Sequence, residues 1–440
     1  MSQLKKVILL FSDIIFFYVA LFSTLVARYG TAGYGEYLNE HFSSFTYVLI
    51  VWLLMLAASN MYDLRILKND LRFFRTFLVA DLVTIMVALV LFYVFPFGIA
   101  PKTNLVVFAV SLTVWGLLSR YGFNAIAARG TPGRVFILGE SKEVTDLVRY
   151  LEENPQLGYR IAVWERRTLG EAGWRELPER IAAERATVLV VPADLKKDPR
   201  ANDVIYSCIL REIQVRDIPS FYEDVMGITP LAELGTGWFL EELVEVRPFY
   251  NALKTSLDIL LAIVIFLLLL PAMMIIWILI RLDSRGPAIF KQVRVGRGGK
   301  HFTLYKFRTM RMDAEKEGAQ WAHVNDPRAT RIGSLLRVSH VDEFPQLVNI
   351  MKGDISFVGP RPERPEFVGI LKTKIPYYEI RLLVKPGLTG WAQINYRANV
   401  NTEEAYRKLE YDIFYIRHRG FVFDVLIILK TLKTIFATPR

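Results

Sequence analysis

Cysteine is nearly absent from this 440-residue chain, with Cys208 the only one. No intramolecular disulfide can form and no Cys-rich metal site can be built, which suits domains in a reducing cytoplasm. The first apolar run carries only a short basic start, LKK. It lacks a small-residue cleavage site, so an uncleaved helix is expected rather than a signal peptide. Charged residues are still 22%, too many for a chain that is membrane throughout, and they lean one way: 54 Lys and Arg against 44 Asp and Glu, a net charge of +10. Such an excess serves nucleic acid, anionic lipid or phosphorylated substrates. The membrane segments favour the last two, and no nucleic-acid partner is expected.

Hydrophobic residues make up 52% of the chain. Four apolar stretches, near 7–28, 44–62, 74–96 and 104–127, each approach the ~20 residues that cross a bilayer. Arg65, Lys68, Arg72 and Arg75 lie between the second and third, and Arg129 and Arg134 follow the fourth. The other loops have only Arg28 and Lys102. The positive-inside rule therefore puts both ends of this bundle in the cytoplasm. A fifth run, reaching Ile280, has basic residues on both flanks and Pro271 at its middle. Two readings fit: a kinked spanning helix, or a helix that bends at Pro271 and returns to the same face. The last apolar segment spaces Asp424, Lys430 and Lys433 for one face, as an amphipathic helix on the membrane or an ordinary packed helix would.

Between the bundle and the fifth run, RVFILG, YRIAVWE, TVLVVPAD and VRDIPSF read as strands alternating with helices, a parallel α/β domain. Gly139 closes the first strand, but GESKEV lacks the second and third glycines of a dinucleotide fingerprint. A Rossmann-like fold without a demonstrable cofactor is expected.

The last third is dense in groups suited to phosphate chemistry. Asp342 and Glu343 precede Pro345, a good first helical residue, so they are expected just before a helix N-terminus. A lone acid there is ordinary. Here GPRP follows, holding Arg361 between Pro360 and Pro362, a stiff setting for a guanidinium that grips phosphate. KFRTM offers Lys306 and Arg308, which equally suit lipid headgroups. KPGLTGWAQINYR offers Lys385, Gly387, Gly390 and Arg397, and its proline and glycines mark a shaped turn that can approach a ligand closely. Asp412 either reaches this site or pairs with a local base.

These runs, QVRVGRGGKHFTLYKFRTM, VDEFPQLVNIMKGDISFVGPRPERPEF, VKPGLTGWAQIN and KLEYDIFYI, resemble the bacterial sugar transferase domain of the monotopic polyprenyl-phosphate phosphoglycosyl transferases. Several ordered motifs matching from about Tyr250 onward make the signal specific. The whole layout looks like the large exopolysaccharide and O-antigen initiating enzymes. The resemblance implies a membrane-α plus α/β chain: a four-helix transmembrane bundle (1–128), a Rossmann-like domain (129–235), and a catalytic domain (236–440) with a re-entrant helix at 254–281. It implies transfer of a hexose-1-phosphate from a UDP-sugar to undecaprenyl phosphate, with release of UMP, at the cytoplasmic face of the bacterial inner membrane. By the same resemblance Asp342 is the nucleophile, Glu343 its partner acid, and both lie at a Mg²⁺ ion. Arg361 and Pro362 belong to the phosphate-binding loop, with Lys306, Arg308 and Arg397 as further substrate ligands. Lys254 and Asp258 match part of the motif before the re-entrant helix, and Pro271 matches its mid-helix proline. The family usually has Arg where Thr255 stands and Gly where Tyr396 stands. The bundle shows no catalytic polar constellation in sequence, which leaves homodimerisation or contact with partner enzymes as its roles.

Overall fold

The computed structural model describes residues 2–437 except 60, 63–68, 70, 95–100, 130–131, 167–168, 194, 196–198, 244–246, 315–325 and 397–400. Arg65, Lys68 and Arg397 lie outside these residues, as do the side chains of Arg72, Lys102, Arg129 and Lys433. The chain is mostly helical with a mixed α/β part. Among the described residues, five helical segments are long and apolar enough to cross a membrane. Two compact units divide it, Met1–Val225 and Met226–Arg440.

In the first unit, helix α1 (Ser2–Ala58) holds two apolar spans broken at Gly30, whose φ of 75° lies in the left-handed region. Helices α2 (Leu71–Val94) and α3 (Pro101–Arg129) carry one span each. Their polar groups turn inward. Buried Arg120 meets buried Asp13 at 2.5 Å, and the Tyr62 hydroxyl donates to the same carboxylate at 2.7 Å. Trp52 Nε1 and the Thr113 hydroxyl both donate to Asp81. Among apolar helices such groups are best satisfied by one another. The sequence pattern did not disclose this network, since Asp13 and Arg120 stand 107 residues apart.

The same unit continues with β1 (Gly133–Leu138), α4 (Lys142–Glu153), β2 (Tyr159–Glu165), α5 (Glu171–Ala183), β3 (Val188–Val191), α6 (Pro199–Leu210) and β4 (Gln214–Asp217). The sheet is parallel throughout, in the order β2-β1-β3-β4. Phe136, Leu177, Leu189 and Val204 meet in its core. The run VRDIPSF is a strand only as far as Asp217. Its second half starts helix α7 (Ile218–Met226), because the Asp217 carboxylate caps it by accepting the Ser220 N–H at 2.7 Å.

The second unit opens with α8 (Thr236–Glu242) and the 36-residue α9 (Pro248–Asp283). Helix α9 is continuous through Pro271. Ala262, Ile265, Phe266 and Leu269 pack on Leu304, Leu347 and Ile350. Past the proline, Met273, Ile276 and Ile280 pack on Phe307 and Leu336. Steps of three and four residues keep this stripe on one face. The other face, including Leu260, Val264, Leu268 and Ile275, is exposed. The helix thus lies along its own unit on both sides of Pro271.

The hairpin β5 (Ile289–Val295) and β6 (His301–Phe307) turns through Gly298 and Gly299, both at positive φ. Then come α10 (Arg331–Val338), a 3-10 turn (Val341–Gln346), α11 (Leu347–Lys352), β7 (Ser356–Val358), α12 (Pro365–Lys374), β8 (Gly387–Thr389), α13 (Trp391–Asn395), α14 (Thr402–His418) and α15 (Phe421–Ala437). Strands β7 and β8 run parallel. In α15 two polar residues face the protein. Asp424 and Lys430 are buried, while Val422 and Val425 are exposed. Asp424 accepts from Tyr250, Lys254 and Tyr415, and Lys430 sits over the Trp391 ring.

Candidate active site

Asp342 and Glu343 sit inside the 3-10 turn rather than ahead of an α-helix, and Pro345 lies within it as well. The regular helix begins only at Leu347. His340, at a left-handed φ of 57°, starts the turn and sets the direction of the two acids.

The adjacent carboxylates have unequal surroundings. Lys306, on β6, donates to Glu343 Oε1 at 2.8 Å, and Arg361, in the loop after β7, donates to the same oxygen at 3.1 Å. Burial alone would raise the Glu343 carboxyl, but these two cations hold it well below the usual range. Asp342 is 9% exposed, and no hydrogen bond engages its carboxylate among the described residues. Burial raises its pKa to about 6, with Glu343 adding to the rise and Lys306, Arg361 and Arg337 opposing it.

The loop holding Arg361 is fixed from behind. Gly359 N–H donates to Thr389 O, and Gly387 N–H donates to Pro360 O. A Cβ on Gly387 would stand 2.1 Å from Gly359 N, and one on Gly390 would stand 2.2 Å from Gly359 O. These glycines therefore let two backbone segments touch, rather than making room for a ligand. Among the described residues, no group of three or more His, Cys, Asp or Glu is placed to hold a metal ion. Magnesium needs no such cage, since one or two carboxylates and substrate phosphates suffice. Asp342 and the second oxygen of Glu343 offer that pair.

Residues 249–438 match the family described as bacterial sugar transferase. Over 348 residues, 73% of this chain and 70% of the relative, it is 31% identical to the UDP-glucose:undecaprenyl-phosphate glucose-1-phosphate transferase of Xanthomonas campestris pv. campestris. The chain belongs to the bacterial sugar transferases. This sugar transferase is also 39% identical, over 251 residues, to the UDP-N-acetylgalactosamine-undecaprenyl-phosphate N-acetylgalactosaminephosphotransferase of Aeromonas hydrophila. That match covers 56% of this chain and 58% of the relative, so the chain spans less than two thirds of it. A putative undecaprenyl-phosphate N-acetylgalactosaminyl 1-phosphate transferase of Bacillus subtilis (strain 168) is 50% identical over 140 residues, 32% of this chain and 78% of that protein.

The other residues singled out from sequence hold different places in the sugar transferase. Lys306 and Arg361 converge on Glu343. Arg308 is buried and gives its guanidinium to Ser284 O, Ser284 Oγ and Arg285 O, where it closes the end of α9. Pro362 offers its carbonyl to Arg294 at 2.9 Å. Lys254 pairs with Asp424 at 2.7 Å, and Asp258 accepts from the Ser356 hydroxyl at 2.6 Å, so both tie the start of α9 to the fold. Asp412 is buried and pairs with Arg381 at 3.0 Å. The same Arg381 donates to Arg361 O at 2.9 Å. Sequence reasoning singled out Asp412 but missed Arg381, which links it to the loop that carries Arg361. No local pattern marks Arg381, because its acidic partner lies far along the chain.

Proposed function

We propose that this sugar transferase moves a hexose-1-phosphate from a UDP-sugar to undecaprenyl phosphate in two displacements at Asp342. The inequality of the two acids supports this most directly. Glu343 is engaged by Lys306 and Arg361, whereas Asp342 carries a desolvated, unengaged carboxylate suited to nucleophilic attack.

In the first displacement an Asp342 oxygen attacks the phosphorus that bears the sugar. The bond from that phosphorus to the bridging oxygen breaks, and UMP leaves with the electron pair. A phosphosugar ester of Asp342 remains. In the second, a phosphate oxygen of the lipid attacks the same phosphorus and Asp342 departs as carboxylate. The product is a polyprenyl-diphosphate sugar. Arg361 and Lys306 face the charge that builds on the phosphoryl oxygens. A magnesium ion held by Asp342 and Glu343 would neutralise diphosphate charge.

Relatives named for glucose and for N-acetylgalactosamine support a UDP-linked hexose or N-acetylhexosamine donor. The chemistry requires a donor-side site in the cytoplasm, and the packing of α9 along one fold on both sides of Pro271 supports a helix that does not cross the bilayer. The reading is of an inner-membrane enzyme starting exopolysaccharide, capsule or O-antigen assembly. A panel of UDP-hexoses and UDP-N-acetylhexosamines is offered to the enzyme with undecaprenyl phosphate and Mg²⁺, and UMP is measured. One donor is expected to release UMP, and Asp342→Asn to abolish the release. Full turnover by Asp342→Asn would remove the nucleophile assignment.

A further inference from the structure

A helix that joins two parallel strands runs back against them, so α4, α5 and α6 all end on the edge of the sheet where the strands begin. That edge lies at the end of α3. Gly130, Thr131 and Pro132 separate Arg129, the last residue of α3, from Gly133, the first of β1. Such a link reaches at most ~14 Å. The 3-10 turn just before β2 (Pro155–Leu157) touches α3 itself, and its Gln156 and Leu157 are buried. The apolar span of α3 runs to Ile126, close to the end of the helix. The strand-start edge is therefore the side of the sheet nearest the bilayer.

The three helices meet that edge differently. Helix α4 ends in exposed Glu152 and Glu153, and α5 runs into Glu184 and exposed Arg185. Helix α6 ends in Ile209 and Leu210, 58% and 85% exposed, with Tyr206 exposed one turn earlier. Its inner face of Ala201, Val204 and Cys208 is already packed into the core, so the fold itself does not use the outer stripe. Spacing of three and four residues puts Tyr206, Ile209 and Leu210 on one side of the helix.

The outer stripe changes character along its length. Asn202 and Asp203 are exposed at the end far from the strand starts, then comes Tyr206, then Ile209 and Leu210. At 1.5 Å per residue, Asp203 stands ~10 Å from Leu210 along the axis and Tyr206 ~6 Å. The headgroup layer on one side of a bilayer is ~5–8 Å thick. With Leu210 at the hydrocarbon boundary, the Tyr206 ring falls among headgroups, where aromatic rings with a polar tip concentrate, and Asp203 reaches water. A protein partner requires no such order.

We propose that the end of α6 is a bilayer contact, in which Tyr206, Ile209 and Leu210 enter the lipid surface beside α3. The link to α3 sets the distance of the sheet from the membrane, and the α6 contact sets its tilt. Both elements lie in the first unit, and the contact is read by lipid accessibility, so it stands or falls independently of the transfer reaction.

The test places a nitroxide spin label on the full chain in nanodiscs of phosphatidylethanolamine and phosphatidylglycerol. Cys208 is buried and stays unlabelled. The single variants Leu210→Cys and Asn202→Cys put the label at the two ends of the stripe, both at exposed positions. Power saturation then compares collisions with oxygen, which concentrates in lipid, and with a water-soluble nickel chelate. The ratio of oxygen to nickel accessibility is expected to be severalfold higher for the Leu210 label than for the Asn202 label. A Leu210 label that meets the nickel chelate as freely as the Asn202 label would overturn the proposal. Shielding of the Leu210 label from both reagents would overturn it as well, and would assign the stripe to a protein surface, such as a second copy of this chain.

Discussion

On the proposed mechanism the attacking aspartate has to be ionised and yet uncommitted, and the two acids here divide those demands. Glu343 stays ionised across the working range because Lys306 and Arg361 share one of its oxygens. Asp342 titrates near pH 6 because it is desolvated beside that negative charge. The active form is the carboxylate, and the raised pKa means that it is lost as pH falls through about 6. The kcat/KM for UMP release is therefore expected to drop about tenfold per unit on the acid side and to level off above it. Lys306 is the largest of the charges favouring ionised Asp342, so Lys306→Met should move the inflection to higher pH. A profile flat from about pH 4.5 to about 8 would contradict this environment for Asp342. The acids were legible in sequence because they are adjacent and followed by GPRP. Arg381 was not, since its role comes from Asp412 and from the Arg361 carbonyl, both distant in the chain.

The loop that carries Arg361 is an element held by contact between backbones. Strands β7 and β8 meet where Gly359, Gly387 and Gly390 have no side chains, and adding one forces backbone atoms apart. Gly387→Ala is expected to cost about 2 kcal/mol or more in stability, as overpacking does, and to lower UMP release by displacing Arg361. Gly369→Ala on α12 meets nothing within 4 Å and is the matched control, expected to unfold no earlier than the parent. Thermal unfolding of both variants checks the pair. The glycines were readable as a shaped turn, but not as a seam between two strands, because the partner of a glycine leaves no mark on its neighbours in sequence. Much the same holds for α7, where Asp217 works as a cap and converts an apparent strand into a helix.

At the scale of the molecule, the five apolar runs were readable from length and hydropathy alone, and all five are helical. Their inner faces were not, because the Asp13–Arg120 and Trp52–Asp81 contacts join residues from different spans. Helix α9 carries the topological question. Cys208 is buried, so a cysteine placed at Arg285 can be labelled against a quiet background. Labelling is expected from the cytoplasmic side; labelling only from outside would make α9 a spanning helix. The sorting of residues on α9 and α15 also governs how this protein can be engineered. In α15 Asp424 and Lys430 are spent inside the fold beside buried Ile427, while Val422 and Val425 face outward. A soluble variant therefore has to be recoded on the outer faces alone, at positions such as Leu260, Leu268, Ile275, Val422 and Val425. Asp424 and Lys430, the residues a hydropathy plot would keep as surface, are structural and have to be left as they are.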